Sequence, residues 1–154
     1  MERSLPVSMP ALVRKLLRLD RRSWQDLLAA QAALLSAQWK LRTRPIGEFA
    51  IRAPLGRADA SGDAERARAI AVAVTRAARH GLFRPYCLVR AVALREMLVA
   101  NGVQGSSIRI GVRREQGAFQ AHAWVRWGEV ILGDVPEHVA SFTEVDDLRV
   151  VSRR

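Results

Sequence analysis

Three side chains of this 154-residue chain have the types and the order that nucleophilic chemistry at a carbonyl carbon requires. Cys87 is the only cysteine, His122 lies further along the chain, and Asp134 follows the histidine. A thiol that attacks a carbonyl needs a base for its proton, and the base needs an acceptor that fixes its tautomer. Lone cysteines and histidines are more often buried core residues than catalytic groups, so that interpretation stays open at this point.

Cys87 stands where a helix is predicted to begin. Pro85 fixes its own φ and disfavours a helical Arg84, so the chain bends just before the cysteine. Nothing from 87 to 100 breaks a helix, and Asn101-Gly102 is a typical helix end with the glycine in the left-handed region. A thiol in the first turn of that helix faces unpaired N–H groups and the positive end of the helix dipole, which favour the nucleophilic thiolate.

The three histidines are predicted to have different roles. His80-Gly81 ends a helix, where an imidazole suits the exposed carbonyl groups, and His138 follows Pro136 in a predicted surface loop. His122 lies in the middle of a predicted strand between two small alanines, which leave room beside the ring. It is therefore the preferred base for the thiol.

The second half of the chain alternates apolar and polar residues, which predicts an antiparallel meander. Strands are expected around 108–112, at 119–127 and at 130–135, with a turn over 113–117 between the first two. The tail from Pro136 onward could pack loosely or add an edge strand.

The loop between the last two strands decides whether His122 can meet Asp134. A two-residue loop, Gly128-Glu129, pairs Trp127 with Val130 and turns Asp134 to the wrong face of the sheet. An odd loop pairs Arg126 with Val130 and places Asp134 directly opposite His122. We therefore predict an odd-residue loop or an equivalent bulge.

Helices are predicted before the cysteine. A short basic amphipathic helix is expected at 11–19, and a second runs from a capping box at Ser23 and Asp26 to Leu41. A third runs from an N-cap at Asp63 through Arg79. The first two helices either pack against the domain or form a docking surface for a protein or an anionic membrane. The fold class is therefore α+β, with an N-terminal helical segment and linker at 1–62 and a core at 63–154.

Composition narrows the class of protein. The chain has 25 basic and 15 acidic residues and a net charge of +10, and Lys15 and Lys40 are its only lysines. Such an arginine excess suits carboxylate or phosphate partners. One cysteine excludes a disulfide framework and a multi-cysteine metal site. Without a signal-peptide pattern or a long apolar run, the expected location is the cytoplasm. No Gly-rich phosphate loop occurs, and no cofactor or metal is expected.

The joint pattern of three segments resembles the transglutaminase-like cysteine peptidases of lasso-peptide biosynthesis, over roughly residues 60 to 136. The segments are Cys87-Leu88-Val89-Arg90-Ala91-Val92-Ala93-Leu94, Ile110-Gly111-Val112 and Ala121-His122-Ala123-Trp124-Val125. The resemblance implies a transglutaminase-like, papain-like core in which the cysteine helix packs on an antiparallel sheet. It implies a stand-alone peptidase that removes the leader from a ribosomally made precursor and frees the core peptide for macrolactam formation.

Site roles follow from the resemblance. It implies Cys87 as the nucleophile, His122 as base and later acid, and Asp134 as the residue that orients the imidazole. Arg126 departs from the family pattern, in which an acidic residue commonly follows Ala-Trp-Val, and it is kept with Trp124 as a candidate substrate contact.

The backbone N–H of Cys87 is the expected oxyanion donor. Tyr86 and Gln120 are candidates for a second donor.

The expected partners are the precursor peptide and a small leader-recognition protein, with the lasso cyclase as a further candidate. Two alternatives remain from the sequence. One is a transglutaminase-like acyltransferase with the same triad, and the other is a non-catalytic, arginine-rich domain that binds nucleic acid or a protein. Against nucleic acid, no strand interleaves aromatic and basic residues on one face.

Overall fold

A computed structural model describes residues 21–45 and 62–145. Within these ranges, three long helices precede a small antiparallel sheet, and one short helix interrupts the sheet near its end. The elements are α1 (Arg21–Thr43), α2 (Asp63–His80), α3 (Cys87–Ala100), β1 (Ser106–Glu115), β2 (Ala118–Trp127), β3 (Val130–Leu132), α4 (Pro136–Ala140) and β4 (Thr143–Glu144). The α+β class is confirmed, with helices first and an antiparallel sheet after them.

The four strands lie in the order β3-β2-β1-β4. β1 and β2 form a long hairpin from Ser106 opposite Trp127 to Glu115 opposite Ala118. The turn between them is only Gln116-Gly117, and both residues have positive φ, 49° and 83°. Two-residue turns of this kind match the twist of paired strands. The turn predicted at 113–117 was therefore too long, because residues 113–115 belong to β1. β4 adds an edge strand beside β1, which was one of the two alternatives for the tail.

The central element is α3, which has the predicted bounds. Its neighbours are α1 and α2 on one side and β1 and β2 on the other. Tyr86 precedes its first turn, and Gly102 ends it with a φ of +77°, as expected. Because it lies between layers, α3 is apolar around most of its circumference. Its buried residues are Val89, Ala91, Val92, Ala93, Leu94 and Leu98.

Helix α1 packs into the same core. Ala30, Leu34 and Ala37 are fully buried, and Lys40 Nζ bonds Glu96 Oε1 of α3 at 2.8 Å. The small side chains of α1 let it approach its neighbours closely. Of the two roles predicted for this helix, packing against the domain is therefore observed. The predicted cap at Ser23 was wrong, because Arg21 is already helical. The helix predicted at 11–19 lies outside the described residues.

Helix α2 starts one residue earlier than predicted. Gly62 occupies the N-cap and Asp63 is the first helical residue, with no side-chain cap bond. The helix ends at His80, and Gly81 is extended with a φ of −81°. A Cβ on Gly81 would clash with the carbonyl oxygen of Ala77, which accepts the Gly81 N–H, and would also meet Gln31 Oε1 of α1. The closure of this helix end therefore favours glycine.

The odd loop predicted between β2 and β3 was wrong. Trp127 pairs with Val130 and Val125 with Leu132, so the loop is the two-residue Gly128-Glu129. Gly128 takes a φ of +57°, which closes so short a turn. The ladder then stops at Leu132 instead of reaching Val135.

The chain turns out of the sheet at Gly133, whose φ is +74°. It enters α4, a helix where the sequence predicted a loop around His138.

No helix within residues 21–45 and 62–145 combines the length and apolar character needed to cross a bilayer.

Gly133→Ala is expected to lower the free energy of unfolding by about 2–4 kcal/mol, through left-handed strain and overpacking. The new Cβ would lie 2.9 Å from Leu94 Cδ2. Urea unfolding measures the loss. The control is Gly117→Ala, which has a φ of +83° but open space around the Cβ, so only the backbone strain remains. Equal losses in the two variants would contradict this account.

Candidate active site

The alternation of β2 places His122 away from the helices. Ala123, Val125 and Trp127 belong to the core shared with the helices. Successive strand residues point to opposite faces, so His122 and Trp124 are on the other side of the sheet. Strand β3 covers β2 only from Val125 onward, which leaves the stretch containing His122 at the sheet edge.

Asp134 reaches His122 around this edge. His122 Nε2 and Asp134 Oδ2 are 2.5 Å apart, and the two side chains are 10% and 12% exposed. A continued ladder would have turned Asp134 away, but the turn at Gly133 releases the chain before that happens. The predicted contact is therefore present, but it results from the turn at Gly133 and not from the predicted odd loop.

The contact fixes both partners. Asp134 Oδ1 accepts the backbone N–H of Val135 at 2.8 Å, which orients the carboxylate. Since the carboxylate occupies Nε2 of His122, the proton on that nitrogen is held there, and Nδ1 is the nitrogen left for chemistry.

Aromatic rings hold the imidazole from its other sides. The ring centroids of Trp124, His138 and Phe142 lie 6.1, 4.9 and 5.1 Å from that of His122. Gly111 of β1 lies opposite His122, and it has no side chain to compete for this space. A Cβ at Gly111 would be 2.8 Å from the Trp124 ring and 2.9 Å from Phe142.

Arg90 is a site residue that the sequence analysis missed. Its Nη2 is 3.9 Å from Asp134 Oδ2, the same oxygen that contacts His122. Its Nε is buried and has no hydrogen-bond partner among the described residues. Arg90 comes one helical turn after Cys87, and this i,i+3 spacing was the signal that could have identified it.

Cys87 is the first residue of α3 and is partly buried. It lines one cavity together with Arg90, Trp124 and Asp134. The free space there is about 20 Å³, roughly the volume that one water needs. No hydrogen bond joins the thiol to any residue in the described part of the chain. The structure therefore brings Cys87 and Asp134 to one cavity and Asp134 to His122, without a thiol–imidazole hydrogen bond.

Among the residues that the structure describes, one group of side chains could hold a metal ion. Ligand atoms of His122, Asp134 and His138 all lie within 4.8 Å of one another, and Cys87 is not a member of this group. Two imidazoles and a carboxylate are ligands that Zn²⁺ accepts. A cation bound there would occupy the imidazole and the carboxylate that the thiol chemistry requires.

The remaining candidates lie at the margins of the site. Tyr86 is 79% exposed beside the thiol, and Trp124 is buried behind the imidazole. Gln120 accepts hydrogen bonds from Arg113 with its Oε1. Arg126 is at the far end of β2, where Glu129 and Glu144 pair with it. Their roles in binding or catalysis stay predictions.

Gly111→Ala is expected to displace Trp124 and Phe142 from the imidazole and to lower stability by about 1–3 kcal/mol. Thermal unfolding measures the stability, and the NMR shifts of the His122 ring report the loss of its aromatic neighbours. Gly62→Ala is the control, since its Cβ would meet nothing within 4 Å. Unchanged ring shifts in the Gly111 variant would contradict the proposed packing.

Comparison with known proteins assigns the fold. A family model described as the transglutaminase-like superfamily matches residues 31–146, which span most of the chain. Neither the curated proteins nor the solved structures give a match. This superfamily usually comprises enzymes that resemble cysteine proteases, and its match extends from α1 through the whole sheet. The cysteine at the start of a central helix, on an antiparallel sheet that carries the histidine, fits that match, and the chain belongs to the transglutaminase-like superfamily.

Proposed function

We propose that this chain is a cysteine peptidase that cleaves the leader from a ribosomally synthesised lasso-peptide precursor. The observation that carries the proposal is that Asp134, which lines a cavity together with Cys87, also contacts His122. Membership of the superfamily supports thiol chemistry at an acyl group. The lasso-peptide role is supported by the three sequence segments around Cys87, Gly111 and His122.

In this proposal, the sulfur of Cys87 attacks the carbonyl carbon at the leader–core junction. As the first helical residue, Cys87 has a backbone N–H with no carbonyl of the same helix to bond. That N–H can donate to the developing oxyanion, which is the largest electrostatic contribution that such sites usually make.

The proton moves through His122. Nδ1 takes the thiol proton and then gives it to the departing nitrogen, which becomes the free amine of the core peptide. Asp134 holds Nε2 throughout and stabilises the imidazolium. Because no hydrogen bond joins the thiol to the imidazole in the structure, that contact must form when the peptide binds. Catalytic hydrogen bonds commonly tighten in this way when substrate binds.

Water completes the reaction. The leader remains on Cys87 as a thioester, His122 takes a proton from water, and the hydroxide attacks the thioester carbonyl. The products are a leader with a C-terminal carboxylate and the regenerated thiol. A small separate recognition protein is proposed to deliver the leader, and the cyclase would then use the released core.

An acyltransferase would pass the same thioester to an amine, and the superfamily match is compatible with that outcome. Mass spectrometry of the products separates the two reactions. The peptidase yields a free leader carboxylate, whereas the transferase yields a leader amide and would overturn the proposal.

Cys87→Ala and His122→Ala are expected to lower kcat/KM by about 10⁴-fold or more, because the nucleophile or its base is lost. Asp134→Asn is expected to retain more activity, since the thiol and the imidazole remain. The assay incubates the precursor and the recognition protein with each variant and follows cleavage by mass spectrometry. Iodoacetamide provides a second arm, as Cys87 is the only thiol it can modify. Full cleavage by Cys87→Ala would refute the mechanism.

Arg90→Gln is expected to lower kcat by about 3- to 10-fold, because the Asp134 carboxylate loses a cationic neighbour that is only one third exposed. Arg90→Lys should recover part of the loss, since it restores the charge. KM should change less than kcat if Arg90 acts by positioning Asp134. Equal kcat values for Gln and wild type would exclude this role.

A further inference from the structure

A basic cleft lies beside the thiol. It measures about 430 Å³ and is bounded by the end of α2, the loop before Cys87, and α3. Its lining consists of Ala78, Arg79, His80, Arg84, Pro85 and Arg90. Three arginines and a histidine face a cleft that contains no carboxylate.

Two of the three cleft arginines, Arg79 and Arg84, differ from the sheet arginines in their ion pairing. Arg109 pairs with Glu144 and Arg113 pairs with Glu115, each at 2.9 Å. Arg79 and Arg84 are exposed, and neither forms an ion pair with any carboxylate within residues 21–45 and 62–145. Cationic groups held close together without an internal partner favour an external anion.

The basic cleft shares Arg90 with the cavity that Cys87 lines. Arg90 lines both, and Arg84-Pro85 lead directly into the first turn of α3, where Cys87 stands. A peptide whose scissile carbonyl reached the sulfur would place a neighbouring side chain within the cleft.

We propose that the basic cleft binds a carboxylate side chain of the peptide substrate, within a few residues of the bond that is cut. Planar guanidinium groups recognise carboxylates through paired hydrogen bonds, and the cleft has room for such a side chain. A nucleic acid is less suited, because no phenylalanine, tyrosine or tryptophan ring lines the cleft as a stacking platform for a base. The inference rests on the proposed peptidase function and names a substrate feature that the cleft selects.

Binding is tested apart from cleavage. The probes are acetylated and amidated eight-residue peptides of alanine, each with one glutamate at a different position, and a matched series with glutamine. They are titrated into the full-length Cys87→Ala variant, and NMR shifts of the Arg79 and Arg84 amides are followed. At least one glutamate peptide is expected to bind about 10-fold more tightly than its glutamine counterpart, with the preference falling as salt increases.

Substitutions assign the preference to the cleft. Arg79→Gln with Arg84→Gln should abolish it, and the lysine versions should retain part. Arg68→Gln with Arg76→Gln changes two exposed arginines on α2 outside the cleft, so this control removes the same charge and should retain all of the preference. Both changes are on the surface, and circular dichroism verifies the fold. Equal binding of the glutamate and glutamine series, or a preference that survives the double glutamine change, would overturn the proposal.

Two further outcomes separate this inference from the proposed function. If the precursor is not cleaved but the glutamate preference depends on Arg79 and Arg84, the carboxylate site stands and the peptidase assignment falls. If the precursor is cleaved without any such preference, the reverse holds. A single-stranded oligothymidylate is the third probe. Its tighter binding through the same two arginines would replace the carboxylate proposal with a nucleic-acid site.

Discussion

The contact between His122 and Asp134 crosses the edge of the sheet, and the rest of the site depends on it. It fixes the tautomer of the imidazole and leaves Nδ1 for the thiol. Its geometry is set by Gly133, which ends the ladder after Leu132 with a positive φ. A residue with a Cβ would be strained there and would press on Leu94 of α3. One glycine thus links the position of the carboxylate to the packing of the cysteine helix.

The packing of the cysteine helix, α3, fixes the position of Cys87. α3 is covered by α1, α2 and the sheet, so the first residue of the helix, Cys87, is held by the packing of the whole domain. The side chain of His122 lies on the face of the sheet opposite α3. At the sheet edge, Asp134 contacts both His122 and Arg90 of α3.

The arginines fall into ion-paired and unpaired groups in the described ranges, and composition alone cannot show this difference. Of the 25 basic residues, several sheet arginines are paired with glutamates, whereas Arg79 and Arg84 remain without such partners in the described ranges. A net charge of +10 therefore does not indicate one uniform anion-binding surface. It includes a basic cleft that shares Arg90 with the cavity lined by Cys87. The same arginine fork that stabilises the sheet can there recognise a substrate carboxylate.

The sequence alone determined the bounds of the cysteine helix, the glycine that ends it, the antiparallel meander and the identity of the three candidate side chains. Each depends on local signals: Pro85, Gly102 and the alternation of β1 and β2. The tertiary structure decided how Asp134 meets His122, because strand parity predicted a loop, whereas the chain leaves the sheet at Gly133. It also decided the contacts of Arg90 and Gly111. Arg90 lies near Asp134, and Gly111 leaves space for Trp124 and Phe142, only because segments distant in the sequence pack together.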